Sequence, residues 1–111
     1  NISVYVLSAN GAFLYDAPNH ALVKITDADL RQNKDAPITL AYAADKRLLD
    51  KDTYSAMHVG SAYQNVGLYA ASAGLANVVR GSFDQDALEK GLNLSDSVNI
   101  LVTQAIGYPA N

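Results

Sequence analysis

Apolar and polar positions fall into blocks separated by turn residues, and the blocks change period along the chain. Residues 2–8 are rich in β-branched and aromatic side chains and stop at Asn10-Gly11, a strong hairpin dipeptide, so they predict a strand entering a hairpin. Residues 12–16 form the return strand, residues 17–20 a second turn and residues 21–25 a third strand, making a β-meander. Thr26 or Asp27 offers a side-chain oxygen to cap a short helix over 28–33. After Pro37, residues 38–44 are nearly continuously apolar, as expected of a strand in the sheet interior with both faces covered.

The period then lengthens. From Asp52 or Thr53 to Ala73 there is no proline, and Met57, Val59, Ala62, Tyr63, Val66, Tyr69, Ala70 and Ala73 lie at helical spacing. This predicts the longest helix, largely buried, with Gly74 as its left-handed C-cap residue. Residues 77–80 predict a short strand reaching Gly81-Ser82. Asp84 caps a helix over 85–90 that ends at Gly91, and residues 98–106 form the last strand. The order is β-β-β-α-β-α-β-α-β, an α+β fold with helices packed on a mixed, largely antiparallel sheet.

Composition narrows the function. The chain has 111 residues, 50% hydrophobic and 17% charged, which suits one globular domain and one core. The absence of cysteine excludes a disulfide framework, a thiol nucleophile and Cys-ligated zinc or iron–sulfur clusters. Eight Lys and Arg against eleven Asp and Glu give a net charge of −3, with the cations scattered, so nucleic acid is not an expected partner. No run approaches the roughly 20 apolar residues that span a bilayer, and no basic segment precedes an apolar signal core. A cytoplasmic location is therefore expected. The chain opens on Asn1 and its one methionine is Met57, from which we expect that Asn1 is not a translated start and that further residues precede it.

Few constellations suggest chemistry. His20 and His58 have no second ligand three or four residues away, so no metal site is expected. A Gly-x-Ser-x-Gly elbow is absent, and each serine reads as a cap, turn or small packing residue. Asp27/Asp29 and Asp84/Asp86 stand at predicted helix starts, where carboxylates meet free N–H groups and the positive end of the helix dipole. Residues 74–84 are more informative, because they join a helix end, a short strand and a Gly-Ser step into a new helix. Such a step leaves main-chain N–H groups pointing outward, and glycine lets a planar ligand approach the backbone. A fixed N–H pair of this kind is what a flavin requires at N5 and O4. An ordinary bulge or loop at Gly81-Ser82 accounts for the same residues.

Three blocks in order carry a family resemblance: residues 63–76, then Val78-Val79-Arg80-Gly81-Ser82-Phe83-Asp84, then Ala105-Ile106-Gly107-Tyr108-Pro109. Together they resemble the C-terminal half of the nitroreductase family. The hairpin Gly11-Ala12-Phe13-Leu14-Tyr15-Asp16, with His20-Ala21-Leu22 downstream, resembles the branch related to SagB-type dehydrogenases. The resemblance implies an FMN-dependent oxidoreductase that takes hydride from NAD(P)H and passes electrons to a nitroaromatic, quinone or similar small acceptor. It further implies a homodimer with flavin at the interface, and cofactor contacts at Arg80, Gly81 and Ser82. Relatives also carry an N-terminal Arg-rich segment and a Pro-Ser-x-x-Asn-x-Gln stretch that hold the FMN phosphate and ribityl chain, and many have a cation beyond the last strand. None of these is present, and the chain closes Tyr108-Pro109-Ala110-Asn111. Residues 1–111 are thus expected to be the C-terminal portion of a single nitroreductase-like domain, a piece of an enzyme inactive alone. The alternatives are a truncated non-catalytic binding or dimerisation module and an unrelated α+β ligand-binding domain.

Overall fold

The chain reverses first at Gly11, which takes φ +138° in the computed structural model; the structure describes residues 2–45 and 52–109. Only glycine reaches that conformation cheaply, and a Cβ at residue 11 would run into the Thr26 carbonyl oxygen. The turn joins β1 (Ile2–Ser8) to β2 (Gly11–Asp16). The Ser8 hydroxyl secures it, donating to the Gly11 carbonyl and accepting the Asn10 N–H, each at 3.2 Å. A second turn, in which the His20 N–H donates to the Ala17 carbonyl at 3.1 Å, leads into β3 (Ala21–Thr26) and completes the expected meander.

The helix expected over 28–33 does not form. Side chains in this stretch offer the backbone other partners: Thr26 Oγ1 accepts the Ala28 N–H, Asp29 Oδ1 the Arg31 N–H, and Asn33 Oδ1 the Asp35 N–H. Residues of this kind compete with a helix ladder whenever tertiary contacts do not enforce it. The Arg31 guanidinium then fixes the irregular path, gripping both Asp29 oxygens (2.9 and 2.7 Å) and donating to the Ala36 carbonyl at 2.9 Å.

β4 (Ile38–Asp45) is interior as expected, with Thr39 and Ala41 to Ala44 buried. It is followed by α1 (Asp52–Ser72), β5 (Ala76–Arg80), α2 (Gln85–Gly91) and β6 (Val98–Gly107). The six strands lie in the order β3-β2-β1-β4-β6-β5, and all five pairings are antiparallel. The α+β class holds, while a parallel pair does not occur among the described strands. β4 and β5, joined across α1, do run parallel, but β6 inserts between them and pairs antiparallel with both.

The helices cover opposite faces. Under α2 lies the main core of Tyr5, Leu7, Ala12, Ala41, Ala43, Leu88, Leu92 and Ile100. Under α1, Gln104 is fully buried: its Oε1 accepts the Tyr42 hydroxyl at 2.6 Å, and its Nε2 donates to Asn77 Oδ1 at 3.0 Å and to the Tyr63 carbonyl at 3.1 Å. One side chain thus ties α1, β4, β5 and β6 together. Burial pushes the Tyr42 hydroxyl up to about 12.

Both helices end in a Schellman motif. At Gly74 (φ +75°) the Leu75 N–H reaches the Ala70 carbonyl at 2.7 Å and the Gly74 N–H the Ala71 carbonyl at 3.2 Å. α2 ends at Gly91 as expected, and the left-handed residue that follows is Asn93 (φ +56°), a residue type that tolerates that conformation. The expected burial of α1 is corrected: Val59 and Ala70 are buried, but Met57, Leu68 and Tyr69 are 61%, 61% and 70% exposed. Apolar residues run almost around this helix, and a sheet covers only one stripe of it.

Candidate functional site

The strand register builds a polar diagonal into an apolar floor. Leu7, Thr39 and Ala105 form one cross-strand row, and Tyr5, Ala41, Thr103 and Arg80 form the row two residues away on each strand. Positions two apart share a face, so Thr39, Thr103 and Arg80 stand on the α2 side of the sheet. Past Arg80 the chain leaves β5 through Gly81, Ser82 and Phe83 and enters α2 at Asp84, whose carboxylate accepts the Ala87 N–H at 3.1 Å.

The opposite rim is the 27–37 segment, fastened by Gln32. Its Nε2 donates to the Asp84 carbonyl at 2.8 Å and its Oε1 accepts the Asp84 N–H at 2.9 Å. Between the rims lies a cleft of about 450 Å³ lined by Leu7, Gln32, Asn33, Asp35, Thr39, Arg80, Ser82, Phe83, Leu88, Thr103 and Ala105. That size, with Leu7, Phe83, Leu88 and Ala105 as apolar wall among polar side chains, suits a small organic ligand.

The sequence-derived residues divide here. Arg80 and Ser82 line the cleft, whereas Gly81 lies exposed between them without contributing wall. Gly81 is not in the left-handed region, and a Cβ built on it meets nothing within 4 Å, so no backbone strain accounts for glycine at this position. Among the described residues the Ser82 N–H has no partner. The ion pairs formed there engage Lys24, Arg31 and Lys34 with Asp27 and Asp29, leaving Arg80 outside them. The Arg31 side chain holds the Asp29 carboxyl well below the usual carboxylate range. Asp27 and Asp29 are therefore loop anchors, while Asp84 keeps its expected capping role.

Sequence reasoning overlooked Thr39, Thr103 and Gln32. Thr39 is 7% exposed and its hydroxyl has no hydrogen-bond partner among the described residues. Its signal was legible: a threonine within the apolar run of residues 38–44. Gln32 left no such trace, because its contact crosses 52 residues. His20 pairs instead with the Tyr15 hydroxyl at 2.8 Å, and no group of three or more acidic or histidine side chains among the described residues is placed to hold a metal. No described helix is long and apolar enough to cross a membrane.

The donor set fits one part of a flavin and not another. Phe83, Leu7 and Leu88 offer apolar wall for a planar ring, and the Ser82 N–H, the Arg80 guanidinium and the orphaned Thr39 hydroxyl offer donors for its heteroatoms. A phosphate dianion calls for several cations. Among the described residues lining the cleft Arg80 is the one cation, and Asp35 shares that lining. The cation expected to be lacking beyond the last strand concerns Ala110 and Asn111, which lie outside the described residues.

The chain is similar to a candidate nitroreductase of Ralstonia eutropha JMP134, with 32% identity and a TM-score of 0.89 over 99% of this chain and 59% of that one. It shares its fold with a chain of the Escherichia coli microcin synthetase complex (22% identity, TM-score 0.84, 99% and 52% covered). It also shares it with a candidate NADH oxidase of Clostridium acetobutylicum (23% identity, TM-score 0.60, 70% and 49% covered). The chain thus spans about half the length of these solved relatives. No curated protein matches it in sequence. The nitroreductase family model matches residues 3–108, nearly the whole chain, and the chain belongs to the nitroreductase family.

Proposed function

We propose that the protein is the C-terminal portion of a flavin-dependent oxidoreductase, with the cleft between Arg80–Phe83 and the 27–37 segment receiving the flavin ring. The observation that carries the reading is the Ser82 N–H, unpartnered among the described residues, and the Arg80 guanidinium, both bordering a cleft of about 450 Å³ whose wall includes Leu7, Phe83 and Leu88. In this reading FMN is the cofactor and supplies hydride transfer when bound. The Ser82 N–H in the wall and the Gly81 N–H exposed at the rim beside it orient the ring's polar edge, Arg80 balances negative charge there, and Phe83 and Leu88 exclude water. NAD(P)H serves as reductant and a nitroaromatic, quinone or related small molecule as acceptor. The opening hairpin supports a place near the SagB-type branch, and a cytoplasmic location gives access to NAD(P)H.

The exposed Met57, Leu68 and Tyr69 on α1 support a homodimer, since apolar surface of this kind favours a covering partner. The same face is what favours the second reading, a non-catalytic dimerisation module. Purified full-length protein should be yellow, retain FMN through gel filtration and oxidise NAD(P)H with a quinone as acceptor. Colourless protein that takes up no added FMN would overturn the flavin reading, and a dimer without flavin would favour the module.

A further inference from the structure

The Thr39 hydroxyl is the unexplained group of this fold. It is buried on the central strand β4, it lines the cleft, and among the described residues it has no partner. An unpaired buried hydroxyl costs stability, and valine would fill the same space without that cost. A hydroxyl in such a place is explained if something that enters the cleft pairs with it.

The neighbours define what that is. Thr103, also buried, stands diagonally across on β6, and Arg80 is directly opposite Thr103 on β5. A guanidinium only donates, and a threonine hydroxyl donates readily, so the diagonal asks for an acceptor atom. Asp35 also lines the cleft, so its described lining carries one cation and one carboxylate and does not select an anion. A neutral carbonyl oxygen satisfies it, and the apolar residues around it, Leu7 and Ala105, suit a ring that carries such a carbonyl.

We infer that Thr39 is a ligand-binding residue, donating a hydrogen bond to a ring carbonyl of the planar molecule held in the cleft. The inference rests on reading this cleft as the redox site. The carbonyl belongs either to the flavin ring or to a quinone-type electron acceptor, and the two sources separate experimentally.

The test compares the parent protein with Thr39→Val and Thr39→Ser by calorimetric titration with two probes, lumiflavin and 1,4-naphthoquinone, and by thermal unfolding without ligand. Thr39→Val should be at least as stable as the parent, because it removes an unpaired polar group, yet bind a probe about 3- to 10-fold more weakly, the worth of one neutral hydrogen bond. Thr39→Ser, which keeps the hydroxyl, should restore affinity. Weakening confined to lumiflavin assigns the carbonyl to the cofactor, and weakening confined to naphthoquinone assigns it to the acceptor. Both support the inference. If the parent binds naphthoquinone but not lumiflavin, the flavin reading of this cleft fails while the role of Thr39 stands or falls on the quinone arm. Equal affinity of Thr39→Val and parent for every probe bound overturns the inference, as does a parent that binds neither.

Discussion

Replacing Gln104 with leucine tests the buried network that holds α1 to the sheet. The side chains are similar in volume, so the change removes hydrogen bonds rather than opening a cavity. Three are lost: from the Tyr42 hydroxyl at 2.6 Å, to Asn77 Oδ1 at 3.0 Å and to the Tyr63 carbonyl at 3.1 Å. Tyr42 is 0% exposed, so its hydroxyl is left with no solvent to turn to; such an orphan costs about 1–3 kcal/mol. The two acceptors lose about 0.5–1.5 kcal/mol each if water does not replace the amide. The apolar leucine returns about 1 kcal/mol by burial. The net loss is about 1–5 kcal/mol, a fall in Tm of at least ~4 °C for a domain of this size. Urea titration followed by circular dichroism measures it. Tyr42→Phe should relieve part of the loss when combined with Gln104→Leu, because the second change removes the orphan left by the first. The network also predicts an alkaline limit. The hydroxyl of Tyr42 is pushed from 10.0 to about 12 by burial, so the folded state keeps a proton that the unfolded chain has released. Its contribution is complete below pH 10 and is lost as pH rises toward 12, and Tyr42→Phe removes that dependence. A Gln104→Leu protein as stable as the parent, or strictly additive losses in the double variant, would refute the network.

Gly11→Ala should destabilise the protein by about 1–3 kcal/mol in urea titration, since it places a side chain at φ +138° against the Thr26 carbonyl. The carboxyl of Asp29 is held low by Arg31, so its contribution to the 27–37 segment is complete above the ordinary carboxylate value and is lost as pH falls below it. The protection factors of the Arg31 and Ala36 amides, measured against their intrinsic exchange rates, should therefore fall in acid, and Arg31→Met should remove that dependence. Light scattering should give a dimer or larger particle at high concentration, with Leu68→Lys and Tyr69→Lys shifting it to monomer; a strictly monomeric parent contradicts the covering of α1.

The strands were legible because local signals fix them: alternation and Asn10-Gly11 for the hairpin, a continuous apolar run for β4, Gly74 for the end of α1. Residues 28–33 were misread because Thr26 and Asp29 suit a helix start and a chain of side-chain-capped turns equally well. The choice falls to Arg31 and to Gln32, whose partner Asp84 lies 52 residues away. The exposure of α1 was not legible, since a wide apolar surface marks a helix that seeks cover without saying whether the same chain supplies it. At the site, the Gly-Ser step pointed to Arg80 and Ser82, but the opposite rim and the Thr39 floor arise from register across β1, β4, β6 and β5. Gly81 was singled out because glycine lets a planar ligand approach the main chain; its φ lies outside the left-handed region, so its backbone conformation does not require glycine.

That point gives the most direct test of the flavin site. The Cβ of a valine at residue 81 meets nothing within 4 Å among the described residues, so Gly81→Val should fold with the stability of the parent, and any effect on FMN comes from the contact alone. FMN titration monitored by flavin fluorescence, on the full-length protein with Ser82→Ala as control, should show affinity lost in Gly81→Val and kept in Ser82→Ala, which retains its N–H. If Gly81→Val binds FMN as tightly as the parent and is reduced by NAD(P)H at the same rate, the Gly81-Ser82 step is an ordinary loop and the flavin is not held there.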